Sequence, residues 1–131
     1  MPDATIMKLF SVSEANDLLL QVQPVIARLQ KLHQALRGQR QAVKKASDSA
    51  TQGGGGIPGG AQYIAQLMEF NEYSAQMEEL GVQIKDYVRG LIDFPSLREG
   101  RVVLLCWQLG EGERIAWWHD IEAGFAGRQP L

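Results

Sequence analysis

The chain has 131 residues, one cysteine and a formal net charge of −2, so by size it is one domain and has no internal disulfide. Hydrophobic residues make up 45% and charged residues 21%, which argues against wholesale disorder, and no stretch approaches the roughly 18 apolar residues of a membrane span. The start, Met1 to Lys8, lacks a basic region followed by an apolar run, so no signal peptide is read; with a lone thiol, the expected compartment is the cytoplasm.

Phe10-Ser11-Val12-Ser13-Glu14 predicts a helix start: Ser11 caps, Glu14 three residues later completes a capping box, and Phe10 is available as a staple. Ala15, Leu18, Val22, Val25, Leu29, Leu32, Leu36, Gln39 and Val43 then follow in steps of three and four, a heptad seam with one polar position. The first helix is therefore expected over 11–50 with coiled-coil character, and Pro24 inside it should kink it. A glycine-rich linker is expected over 51–60. Lacking the Gly-Lys-Ser/Thr ending of a phosphate-binding loop, and following a helix, it reads as a connection only.

A second helix is expected over 61–80, stopped by Gly81, with a broad apolar stripe that includes Tyr63, Ile64, Leu67, Met68 and Phe70. Its charges, Glu69, Glu72, Glu78 and Glu79, are all acidic, whereas the first helix carries Arg28, Lys31, Arg37 and Arg40. Charge to Gln52 is +3 and beyond it −5, so an antiparallel hairpin neutralises both, with Glu72 expected near Arg37. Arg37, Arg40, Lys44 and Lys45 are the sole basis for nucleic-acid binding, and nucleic acid is not the expected partner.

From residue 81 the period changes to that of strands. Val82 to Val88 alternates, Gly90 to Pro95 is a short apolar strand or turn ended by proline, and Arg101 to Leu109 is a near-continuous apolar run typical of a central strand. Gly110-Glu111-Gly112-Glu113 reads as a tight turn into a return strand, Arg114 to His119. Pairing Leu109 with Arg114 sets Cys106 opposite Trp117 and Leu104 opposite His119. Cys106, Gln108, Trp117 and His119 then share one face, Leu105, Trp107 and Trp118 the other. No element is expected in the tail from Gly124. The fold class is α+β: a long antiparallel helical hairpin packed on a small antiparallel sheet of three or four strands.

Val82-Gln83-Ile84-Lys85-Asp86, Gly90 to Pro95, Gly100-Arg101, Leu105-Cys106-Trp107, Gly110-Glu111, Trp118-His119 and Gly124 to Pro130 together resemble a prokaryotic family, the domain-of-unknown-function family 2203. The start, Phe10 to Leu19, shares the resemblance. Membership implies no established activity, substrate or partner.

The side chains able to bind a ligand are Asp86, Asp93, Glu111, His119 and Arg128. A divalent metal would draw on His119, Asp86 and Asp93; two histidines and one cysteine exclude a closed zinc site of cysteines and histidines within one chain. His119 capping a strand end is the simpler use. Cys106 invites comparison with a thiol nucleophile, but a central strand opposite an indole is where cysteine packs as a small hydrophobe. Asp86 and Asp93 could pair for acid–base chemistry, although ion pairs with Lys85, Arg89, Arg101 or Arg128 account for them more simply. Indoles on both sheet faces leave one face to be covered either by the tail around Phe125 or by a partner. The leading expectation is a non-catalytic interaction or scaffold protein acting as a homodimer. The alternative is a small-ligand or metal-binding domain, with or without enzymatic activity, sited in the C-terminal sheet region.

Overall fold

The computed structural model describes residues 7–50 and 59–131, with the side chains of Val43 and of residues 46–50 excepted. Of the linker expected over 51–60, residues 51–58 lie outside the described residues, and Gly60 opens the second helix.

Two helices, α1 (Val12–Ala50) and α2 (Gly60–Glu79), precede five strands: β1 (Gln83–Asp86), β2 (Leu91–Arg98), β3 (Arg101–Gln108), β4 (Trp117–Asp120) and β5 (Gln129–Pro130). The strands form one antiparallel sheet in chain order. The class is α+β as expected, but the sheet has five strands rather than three or four. The added strand is β5, from a tail in which no element was expected. It is only two residues long, too short for a periodic signal, and forms because Trp117 and Trp118 offer it a free edge.

The capping box at the start of α1 is formed. The Ser11 amide donates to Glu14 Oε1 at 2.9 Å, and the Glu14 amide donates to Ser11 Oγ at 3.0 Å. Pro24 lies inside α1. The buried stripe of α1 is Ala15, Leu19, Val22, Ile26, Leu29 and Leu32, while Leu18 and Val25 of the expected seam are only partly buried. The stripe turns this way because the first half of α1 packs on a sheet, which presents a broad surface and not the narrow seam of a coiled-coil partner.

Helix α2 ends in a Schellman turn. The Val82 amide reaches Met77 O and the Gly81 amide reaches Glu78 O, both at 3.0 Å, with Gly81 at φ 88°. Buried Met77 and Val82 anchor that end in the core. The two helices touch through Arg28 and Glu69, which form a bidentate pair at 2.8 and 2.9 Å, and through Gln39 and Gln66. No Arg37–Glu72 pair is found among the described residues. Anchoring α2 at the sheet brings Glu69, not Glu72, level with its arginine.

The core lies between α1 and one face of the sheet, where Phe10, Ile92, Phe94, Val103, Leu105, Trp107 and Trp118 are buried. Phe10 meets Phe94 edge to face at 5.5 Å, and its amide donates to Pro95 O at 2.7 Å. The latter bond explains why Pro95 does not end β2, as was expected. In a strand a residue's N and O point to the same side. Pro95 therefore turns its missing donor toward the segment before α1, beyond the end of β1, and costs the β2–β3 ladder nothing.

Candidate functional site

Two turns decide what the opposite face of the sheet carries. Strands β2 and β3 are joined by Glu99-Gly100, with φ of 51° and 80°, so both central residues adopt the positive φ of a type I′ turn. With Arg98 opposite Arg101, the register runs back to set Asp93 opposite Cys106. The β3–β4 register is the expected one, with Leu104 opposite His119 and Cys106 opposite Trp117, although an eight-residue loop (109–116) replaces the tight turn. Trp107 Nε1 donates to Gly112 O at 2.9 Å and the Ile115 amide donates to Asn16 Oδ1 at 2.7 Å, so the loop is tied to β3 and to α1.

Three adjacent strands thus bring Asp93, Cys106 and His119 together. One donor atom from each lies within 4.8 Å of the others, and all three residues are buried. His119 Nε2 is 3.1 Å from Asp93 Oδ2, and His119 Nδ1 is 2.7 Å from the carbonyl oxygen of Asp120. A carbonyl only accepts, so Nδ1 carries a proton and Nε2 is turned toward the carboxyl group. A single proton then bridges Nε2 and Oδ2. Asp93 Oδ1, by contrast, is buried and meets no nitrogen or oxygen donor, and the Cys106 thiol beside the carboxyl offers it only a weak S–H contact.

The electrostatics follow from burial. Loss of water raises the Asp93 carboxyl above its ordinary value, opposed chiefly by the His119 ring. Burial, followed by the Asp93 charge beside it, pushes the Cys106 thiol up to about 12. A cleft of about 170 Å³ opens over Asp93 and His119, with Lys85, Leu91, Leu104, Ile121, Gly124 and Phe125 completing its walls. The tail around Phe125 therefore covers part of this face.

The other expected ligand residues serve elsewhere. Asp86 Oδ1 accepts the amides of Val88 and Arg89 at 2.9 and 3.2 Å, which shapes the turn after β1 and keeps it out of the cluster. Glu111 and Arg128 form a bidentate pair, both contacts at 2.7 Å, that fastens the tail to the β3–β4 loop. Arg128 also sits 5.0 Å from the Trp117 ring centre and 4.6 Å from that of Phe125. For Glu111, burial works hardest and against ionisation, but the Arg128 hydrogen bonds, the Gln108 amide and the Arg128 charge together outweigh it and hold the carboxyl below its usual range. Sequence reasoning assigned Cys106 to packing, Lys85 to ion pairing and Phe125 to covering a sheet face, and counted none of the three among the ligand residues. The Glu99-Gly100 turn, a positive-φ dipeptide between two apolar runs, was the signal that would have placed Cys106 opposite Asp93.

Fold and cluster together define an α+β protein with two helices packed on an antiparallel meander and a buried Asp–Cys–His group beneath a small cleft. The chain belongs to the DUF2203 family of uncharacterized conserved proteins, whose family model matches residues 8–131. No curated protein and no solved structure matches it. Among the described residues no helix is long and apolar enough to cross a membrane.

Proposed function

We propose that the protein is a small-ligand or metal-binding domain whose site is the cleft over Asp93 and His119. The observation that carries this reading is the Oδ1 of Asp93, which has no partner beyond a weak thiol contact from Cys106. A buried carboxylate oxygen without a partner costs several kcal/mol in the absence of compensation, and at the floor of a cleft a bound group supplies that partner. The test is native mass spectrometry of protein purified without chelator, comparing wild type with His119→Gln. An added mass on the wild-type chain that is missing from the variant is the expected result. A bare 14.5 kDa chain, with cleft side-chain NMR signals unmoved by cell-extract metabolites or divalent metals, overturns it.

A second reading, the homodimeric interaction protein, is supported by the exposed apolar side chains of α2. Ile64 is 57% and Met68 67% exposed, with Leu67 beside them. Light scattering at micromolar concentration tests it: a mass that stays monomeric as concentration rises rejects it, and Leu67→Glu should split any dimer found. The cytoplasm is the compartment in keeping with a single buried free thiol.

A further inference from the structure

Taking the cleft to be a binding site, we infer that its occupant is a thiophilic divalent transition ion of the zinc class, held by Cys106 Sγ, His119 Nε2 and an oxygen of Asp93, with its fourth position open to the cleft.

The donor set selects the ion. One thiolate, one imidazole and one carboxylate suit zinc, cobalt or nickel; magnesium and calcium require oxygen cages, and a non-haem iron triad requires two histidines. Three protein ligands plus one open position is the pattern of a reactive zinc centre, whereas structural sites close with four. The geometry is close to what such an ion needs. Bond lengths of about 2.0–2.3 Å at tetrahedral angles place donors roughly 3.3–3.8 Å apart. Here the imidazole nitrogen and carboxylate oxygen are 3.1 Å apart, and all three donors fall within 4.8 Å. Closing the set on one ion takes about 1 Å, within reach of side-chain rotation on a rigid sheet.

Two features prepare the site. The bond from His119 Nδ1–H to the Asp120 carbonyl holds the ring with Nε2 turned inward, the usual second partner of a metal-bound histidine. Asp93, only 1% exposed, also presents Oδ1, which no nitrogen or oxygen donor meets, so the carboxylate keeps a free oxygen for the ion beside Oδ2. Binding displaces the thiol proton of Cys106 and the proton shared by His119 and Asp93, and both pass to solvent as the ion enters. Lys85 in the cleft wall favours an anionic group, hydroxide or a carboxylate, at the open position.

Cobalt(II) titration of chelator-treated full-length protein is the test, with zinc as competitor. Tetrahedral cobalt with one thiolate gives visible ligand-field bands and a near-ultraviolet sulfur-to-cobalt charge-transfer band, and zinc should bleach both. Cys106→Ala should lose the charge-transfer band, and Asp93→Asn and His119→Gln should weaken binding at least about 100-fold, beyond what loss of an outer partner costs. Circular dichroism confirms that each variant is folded, and cadmium binding to wild type, read by its own thiolate band, serves if Cys106→Ala is not. Cobalt bound through His119 with no sulfur band removes Cys106 from the site and refutes the inference while sparing the cleft. Failure to bind cobalt, zinc or cadmium also refutes it, and the native mass comparison then judges the cleft by itself.

Discussion

Arg128→Ala is the substitution whose cost the structure sets most directly. Its side chain is 9% exposed, that of Glu111 21%, and they share two contacts of 2.7 Å. Hydrogen bonds between charged partners are worth about 1.5–3 kcal/mol each, and losing half of a fully buried pair costs about 3–5 kcal/mol. Glu111 is exposed enough to regain some water, which lowers the figure; the lost stacking on Trp117 and Phe125 adds about 0.5–1 kcal/mol. The expected loss is about 2–4 kcal/mol. With a urea slope of about 2 kcal/mol/M, the unfolding midpoint should fall by about 1–2 M. Arg128→Lys keeps the charge without the planar fork and should recover no more than about half. The damage should be local first: the Leu131 amide, which donates to Ala116 O at 2.9 Å, should lose hydrogen-exchange protection before the β2–β3 ladder does. A loss under about 1 kcal/mol, full rescue by lysine, or no coupling in a double-mutant cycle with Glu111→Ala would refute the reasoning.

Three further outcomes are expected. Because the folded Glu111 carboxyl lies below its ordinary value, its contribution is present above the usual carboxylate range and fades as pH falls through the lowered value; wild type should lose more stability below about pH 4 than Arg128→Ala, read from urea midpoints. Cys106 is fully buried and, with no ion bound, its thiol is pushed up to about 12, so at pH 8 only about one molecule in ten thousand of chelator-treated protein is thiolate, and a thiol reagent should label that protein in its native state far more slowly than in denaturant. Glu99 adopts φ 51° in the β2–β3 turn, a conformation asparagine tolerates better; Glu99→Asn should raise stability by about 0.5 kcal/mol in thermal unfolding, and a measured decrease would contradict the turn assignment.

Much of the fold was legible locally. The capping box, the glycine stop of α2 and the β3–β4 register depend on residues close together in the chain, whose hydrogen-bonding needs and alternation are visible in the sequence. For the site, His119 and Asp93 were recognisable as candidate ligand residues, and Cys106 was correctly set on His119's face. What the sequence could not decide was which carboxylate joins them. Asp86 and Asp93 look equivalent as letters, yet a backbone turn consumes Asp86, while the register of β2 on β3 delivers Asp93. Proline at position 95 masked that register, because its missing amide is harmless only where β1 has already ended and Phe10 has come alongside. The partner of Arg28, the seam chosen by α1 and the addition of β5 were likewise settled by packing between distant segments. Each depends on where a surface from elsewhere in the chain comes to rest, and no local preference encodes that.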